Sequence, residues 1–372
     1  MIALTFVSKP FFCKNNGRNA MPSKGFRGIN ARCAALYSTT LAGIFLPLKC
    51  FQKGMETKAL TVLSYGAGQD STAILYRIVL DPAFGKQWVK GNFIVVMSNT
   101  GNEHPHTYRH VAFIQDFCLQ HGIQFFFLSF RNGYHPNTWP TLQGQYLRND
   151  SIMSLAYPKS CTDNLKIKPI YNFLDHFVAQ EYYGYSDKKI PTGKKFIKQF
   201  AKDYGKIYIL LGIAAGEESR VNKLKNKKMQ HMQLNLFEKQ MAPSRSWMDI
   251  SIERLYPLIE TGMDREACQE YIRSTGLPLP FPSNCMFCPF ASKVEILWLF
   301  RNYPAAFRQW VTHEQRKLQK SAAKGVVRNL GVKGDCTLEE FLQEAIVEFG
   351  HMTDDQLNDY KMSHGHCVKS TF

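Results

Sequence analysis

The sequence has no run of eighteen apolar residues and no repeat of fixed period, which excludes a membrane-spanning helix and a repeat-built solenoid or propeller. Glycine and proline, 25 and 17 in 372 residues, stay near average usage, so collagen-like and low-complexity readings are excluded too. The ten cysteines do not make the dense disulfide framework of a small secreted domain. They are scattered over a long chain, which fits a reducing compartment. With 45% hydrophobic and 13% aromatic residues, the chain has enough apolar surface for one large core or two smaller ones.

Acidic residues are missing altogether from residues 1–55. That segment holds eight bases (Lys9, Lys14, Arg18, Lys24, Arg27, Arg32, Lys49, Lys53), half of the formal net charge of +16. The remaining +8 leaves the rest of the chain moderately basic, which points to a polyanionic partner such as tRNA or DNA. Three readings of the extension stay open. It is an over-long start before Met55, whose Glu56-Thr57-Lys58 leads into a clean strand; an organelle transit segment; or a basic arm. The first makes the protein cytoplasmic, and the apolar run Leu41 to Leu48 is too short to cross a bilayer.

Leu60 to Ser64, Asn92 to Ser98 and Gln124 to Phe130 are short apolar runs that read as buried strands. Ser71 to Leu80 and His106 to Gln120 lie between them and have apolar residues at helical spacing. The alternation predicts an α/β fold with a doubly wound parallel sheet. Lys206 to Ile213 reads as a fourth strand and Leu255 to Ile259 as a fifth. Beyond Thr261 the periodicity is helical, over Asp264 to Thr275, Val294 to Arg301, Ala305 to Lys320 and Leu338 to Phe349. The expected organisation is therefore a basic extension at 1–55, a nucleotide-binding α/β domain at 56–262 and a helical C-terminal region at 263–372. Two Lys-rich stretches, Asp187 to Lys206 and Arg220 to Lys228, read either as solvated faces or as the wall of a nucleic-acid groove.

At the end of the first strand, Ser64-Tyr65-Gly66-Ala67-Gly68-Gln69-Asp70-Ser71-Thr72 runs straight into a helix. Small residues let the backbone approach an anion, and the N–H groups and dipole of a helix N-terminus favour negative charge, so this turn predicts a phosphate site. It is not a P-loop of the Lys-Ser/Thr type, because no Lys precedes Ser71, and Gly66-Ala67-Gly68 lacks the third glycine of a dinucleotide fingerprint.

Gly66 to Ser71 resembles instead the S-G-G-x-D-S PP-loop of the ATP pyrophosphatases, with Gly66 where that family has Ser and Ala67 where it has Gly. It is also similar to a variant loop in phosphoadenosine-phosphosulfate-reductase-like proteins of phage and bacteria. Asn99-Thr100-Gly101-Asn102-Glu103-His104-Pro105 resembles the T-G-x-E-x-P segment of that superfamily. Cys161 to Pro169 resembles its C-T-x-x-x-K-x-x-P segment, and Gly212, Glu217 and Arg220 fit its glycine, acid and arginine pattern. The likeness spans about Leu60 to Phe307. It implies an ATP-binding enzyme that transfers AMP to a substrate oxygen and releases pyrophosphate. On that resemblance Ser64, Gly66, Ala67, Gly68, Gln69, Asp70, Ser71 and Thr72 hold the phosphates. Asn99, Thr100, Gly101 and Gly212 line the nucleotide site, Asp70 holds Mg²⁺, and Lys166 and Arg220 neutralise the pyrophosphate.

Cys285-Met286-Phe287-Cys288-Pro289 places two thiols three apart before a proline, half of a metal site. The same resemblance makes Cys161 a third ligand, although Ser160 stands where the reductases that carry a four-iron cluster have a second cysteine. Cys367 is the candidate fourth. A 4Fe-4S cluster, zinc, a redox or sulfur-carrying dithiol, and ordinary thiols all remain open. Cys268 and Cys336, on helical stretches, read as core positions. His104, His106 and His110 read as surface residues at a helix start, with acid-base work as the alternative. Trp298, Phe307 and Trp310 read as core.

The leading expectation is sulfur transfer to, or another modification of, a nucleic acid, with a sulfur donor or thiol reductant as further partner and no membrane. The alternatives are reduction of a sulfonucleotide to sulfite and a non-catalytic nucleotide-binding module. Against the reductase, Ala214 stands where those enzymes carry an Arg, and their E-C-G-[I/L]-H tail is absent.

Overall fold

The computed structural model describes residues 58–150, 152–156, 160–187, 189–221, 246–326 and 331–363. The basic extension, most of the stretch from Arg220 to Lys228, and Cys367 lie outside the described residues. The sheet comprises β1 (Leu60–Ser64), β2 (Asn92–Ser98), β3 (Gln124–Leu128), β4 (Ile207–Leu211) and β5 (Ile252–Leu255), in the order β3-β2-β1-β4-β5. Every pairing is parallel, with Val62 opposite Ile94 on one side and Ile209 on the other. The chain is thus an α/β protein with a doubly wound parallel sheet, as the strand–helix alternation predicts. β1 is apolar on both faces because helices cover both, and Leu60, Val62 and Leu63 are fully buried.

α1 (Gln69–Leu80), α2 (Pro105–Gln120), α3 (Lys168–Tyr183) and α4 (Lys195–Asp203) flank the sheet. Buried residues of α1 and α2, including Ile74, Tyr76 and Phe117, fill the core on one face; Leu174, Phe177 and Phe200 of α3 and α4 fill the other. The strand order turns back between β1 and β4, and a crevice opens there at the C-terminal strand ends, the usual ligand position in open α/β sheets.

The C-terminal part supplies α5 (Arg265–Ser274), α6 (Lys293–Asn302), α7 (Pro304–Ala322), α8 (Leu338–Phe349) and α9 (Asp354–Ser363). α5 packs on α1 and places Cys268 and Ile272 in the sheet's core, whereas α6 to α8 build a second core around Trp298, Phe307 and Trp310. That second core also takes in Leu142, Tyr146 and Leu165 from before β4. The three aromatic residues are core, as their spacing predicts.

Two strand expectations shift. The fifth strand is Ile252–Leu255 and not Leu255 to Ile259, because Pro257 lacks an N–H for the ladder and opens a helical turn, Pro257–Glu260. β3 ends at Leu128, where Ser129 caps a short 3₁₀ turn, Phe130–Asn132.

Two backbone positions set the shape of the crevice. A Cβ on Gly212 would stand 2.8 Å from the backbone N of Ser71, so only glycine lets the end of β4 meet the start of α1. Ala67 has φ 56°, a left-handed conformation that costs a residue with a Cβ about 1 kcal/mol. Gly212→Ala is expected to lower unfolding stability by about 2 kcal/mol, whereas Ala67→Gly raises it by up to about 1 kcal/mol. Denaturant midpoints of the three proteins check both.

Candidate functional site

The crevice has a cavity volume of about 120 Å³, and its lining includes Gly66, Gly68, Asp70, Ser71, Lys166, Gly212, Arg220, Arg265 and Ser283. Its floor is the turn from β1 into α1. Gly68 is the N-cap of α1 and supplies no side-chain cap, so the first turn presents its amides toward the crevice. The hydroxyl of Ser71 donates to the carbonyl of Gly68 and accepts from the N–H of Gly66, each at 3.2 Å, which closes the turn on itself. A Cβ on Gly68 would lie 3.1 Å from Ser283, so glycine there lets the 282–284 segment lie close over the loop. At Gly66 a Cβ would meet Ser283 at an ordinary 3.6 Å, and the serine of the PP-loop pattern would fit.

Charged groups converge above this floor. Glu217 bridges two arginines: its Oε2 accepts from Arg220 Nη1 at 2.6 Å and its Oε1 from Arg265 Nη2 at 2.7 Å. The pairing of Arg220 with Glu217 therefore coexists with a place on the crevice wall. Burial pushes the Asp70 carboxyl up to about 6; Arg265 and Arg220 pull it down in part and Glu217 opposes them. Lys166 sits in a single π-helical turn, Asp163–Ile167. The turn is pinned by the Ser98 hydroxyl, which donates to the Leu165 carbonyl at 2.6 Å.

The other residues expected at a nucleotide differ in their surroundings. Thr72 is fully buried and bonds to Tyr65 and His110, behind the loop. Ala67 shapes the turn by its φ and is fully buried. The Gln69 side chain donates to the carbonyls of Pro280 and Met362 and accepts from Gln269, bolting α1 to α5 and the end of α9. Ser64 lines the crevice at the end of β1. Asn99, Thr100 and Gly101 are not among the crevice's lining residues. Asn99 Oδ1 accepts from the Gly101 N–H and from Tyr108, and Gly101, at φ 72°, meets Thr141 so closely that a Cβ would clash.

The 99–103 turn instead supports the cysteine loop. Thr100 Oγ1 lies 3.3 Å from Cys285 Sγ, Glu103 forms an antiparallel bridge with Cys285, and the carbonyl and side-chain oxygens of Asn102 accept from the N–H groups of Met286 and Phe287. Glu103 is 2% exposed. Burial, and then the Glu103 carboxylate, push the Cys285 thiol up, and Lys166 pulls it back in part. Cys161, Cys285 and Cys288 all act electrostatically on the buried Tyr146 hydroxyl, so the three sulfurs share one neighbourhood. Two buried lysines adjoin it: Lys333 donates to the carbonyls of Pro289 and Ala291, and Lys361 to Asn284 and Glu295. Cys288 acts electrostatically on both. Among the described residues no three His, Cys, Asp or Glu side chains converge closely enough to hold an ion. The donor chemistry nonetheless suits a soft metal or a cluster, with three sulfurs and nearby cations to offset an anionic centre.

The histidines are not surface residues. His104 and His110 are buried, His104 and His106 stack at 5.0 Å, and Trp298 packs edge-on against both. Burial pushes His106 down to about 3 and His110 down to about 4, so both are neutral imidazoles near neutral pH. Cys268 is core, with its thiol pushed up to about 12 by burial. Cys336 is half-buried, near Lys333.

The sequence did not single out Arg265, Pro282 or Ser283. Arg265 and Ser283 are ordinary at sequence level, and only packing of the C-terminal part brings them to the phosphate loop.

Asp70 has a folded-state pKa above its ordinary value, so the folded chain binds its proton more tightly than the unfolded chain. Its contribution to stability then falls as pH rises from about 3.8 to about 6. Asp70→Asn removes this cost, and at pH 7 the variant is expected to be more stable by about 1–2 kcal/mol. Thermal melts at pH 4 and pH 7 check this, with the gain expected only at the higher pH. Asn102→Ala removes the side-chain acceptor of the Phe287 N–H while keeping the backbone acceptor of the Met286 N–H, and is expected to loosen the loop and speed alkylation of Cys285 in the metal-free protein, measured by mass spectrometry.

No protein-family model matches the chain, and no curated protein matches it. Among solved structures the chain is similar to the U34-tRNA thiolase NcsA from Methanococcus maripaludis, determined with its 4Fe-4S cluster. The two are 12% identical over 80% of this chain and 75% of that one, with a TM-score of 0.35.

Proposed function

We propose that this chain binds Mg·ATP in the crevice and transfers AMP to an oxygen of a nucleic-acid substrate, releasing pyrophosphate, so that sulfur delivered from the cysteine site replaces the activated oxygen. The observation that carries this reading is the contiguity of the two sites. Pro282 and Ser283 line the crevice, Cys285 follows two residues later, and Lys166 lines the crevice while acting electrostatically on Cys285.

The amides at the start of α1 and the hydroxyl of Ser71 hold phosphate oxygens. Asp70, when ionised, holds Mg²⁺ through water, and Lys166 and Arg220 stabilise charge as it moves onto pyrophosphate. In the first step the substrate oxygen bonds to the α-phosphorus and the α–β bridging bond breaks, its electrons leaving on pyrophosphate. In the second, a sulfur nucleophile bonds to the carbon and AMP departs with the oxygen. Cys161, Cys285 and Cys288, which do not converge closely enough in this structure to hold an ion, are the sulfurs that would hold an iron-sulfur cluster if drawn together on binding it, and the cluster would supply a site for sulfide. Thr100 and Glu103 orient Cys285, and Lys333 and Lys361 offset negative charge beside Cys288. A nucleic-acid acceptor is supported by the exposed lysines Lys189, Lys195, Lys198, Lys202 and Lys206. Reduction of a sulfonucleotide fits less well, because Ala214 is 1% exposed where the reductases place an arginine.

The test begins with anaerobic purification from Met55 onward, with iron, zinc and acid-labile sulfide measured for the parent chain and Cys285→Ala. Iron and sulfide near four per chain, lost in the variant, are expected, as is pyrophosphate release that depends on added tRNA or DNA. Lys166→Ala is expected to slow that release about 100-fold. Zinc in place of iron rejects the cluster, nucleic-acid-independent release rejects the acceptor, and ATP binding without release leaves a binding module.

A further inference from the structure

The arginine pair on the crevice wall is assembled from two distant parts of the chain. Arg220 follows β4, whereas Arg265 is the first residue of α5. They are 45 residues apart in sequence, yet both reach the crevice and both are tied to Glu217, one to each carboxylate oxygen. A guanidinium carries five N–H groups in a rigid fork, and the bond from Arg265 Nη2 to Glu217 Oε1 uses one of them. Glu217, with 19% of its side chain exposed, thereby fixes two forks about one point of the crevice wall. With Lys166 also on the lining, the crevice brings three cations together with the carboxylates of Glu217 and Asp70, a balance that favours an incoming polyanion.

We propose that Arg220 and Arg265, spaced by Glu217, form a two-guanidinium clamp for the β,γ-pyrophosphate of the bound nucleotide, with Arg265 the contact that the C-terminal region makes to it. The inference rests on the reading of the crevice as a nucleotide triphosphate site. A carboxylate bridging two guanidiniums orients both without neutralising either fully, and paired forks match the oxygens of a pyrophosphate bidentately. Arg265 is held from behind: Asp264 caps α5 through the Ala267 N–H, and Gln269, one turn on, bonds to Gln69 of the phosphate loop. Loop and arginine are thus two points of one braced frame, and the clamp is set before the ligand arrives.

The test uses equilibrium binding to the full chain by calorimetry, with Mg²⁺ present and three probes: the β,γ-imido analogue of ATP, inorganic pyrophosphate and AMP. Arg265→Ala is expected to weaken the ATP analogue and pyrophosphate about 10- to 100-fold while changing AMP less than about 2-fold, because AMP has no β- or γ-phosphate. Arg265→Lys is expected to recover part of the loss, and Lys324→Ala, which removes an exposed charge elsewhere, to leave the binding of all three probes unchanged. Equal weakening for all three probes would mean that Arg265 only supports the fold, and unchanged binding of pyrophosphate would mean that it does not reach the phosphates. Either result overturns the clamp while leaving the nucleotide reading intact, provided the parent chain binds the analogue. A parent chain that binds neither the analogue nor pyrophosphate overturns both.

Discussion

The spacing between the end of β4 and the start of α1 governs the rest of the site. Gly212 meets the backbone of Ser71 where no side chain fits, and Gly68 lies so near Ser283 that a Cβ on it would be tightly pressed. These two approaches hold the phosphate loop between the sheet and the 282–284 segment, and the charged side chains arrange themselves around the gap that is left. A Cβ at Gly212 would push α1 outward and change the distance from its first amides to Lys166, Arg220 and Arg265 together.

From this constraint follows the adjacency of two kinds of chemistry. The 282–285 segment, once laid across the loop, has Ser283 in the crevice and Cys285 at the 99–103 turn. The buried polar groups on its far side, Asn284 with Lys361 and Glu295, fix its course at a desolvation cost that their mutual bonds offset. Asp70 shows the opposite economy. It stays ionised near neutral pH although burial raises its pKa to about 6.

The segment Asn99 to Pro105 shows how a motif can be legible while its tertiary surroundings are not. Its likeness to a T-G-x-E-x-P element assigned Asn99, Thr100 and Gly101 to the nucleotide. Gly101 has the positive φ such a turn requires, but Thr100, Asn102 and Glu103 engage the cysteine loop. Nothing in the residue types separates the two roles, because hydroxyl, amide and carboxyl side chains serve a nucleotide and a thiol loop equally well. The histidines after it misled in a similar way: polar residues at a helix start are ordinarily solvated, and only α6 and the 281 segment packing over them make them core.

By itself the sequence determined the parallel sheet, through apolar runs of strand length alternating with helical periodicity, and the tight turn from β1 into α1, through small residues at a strand end before a helix. Those are local properties, fixed by backbone freedom and by burial on both faces of a strand. Pro257 moved β5 by local chemistry that was also legible. The bridging of Arg220 and Arg265 by Glu217, the turn of Thr100 toward Cys285, and the reach of Lys166 between crevice and cysteines were decided only by tertiary structure. Each joins residues from distant parts of the chain, and it is the packing of the C-terminal helices on α1 and on the 142–165 segment that sets their distances.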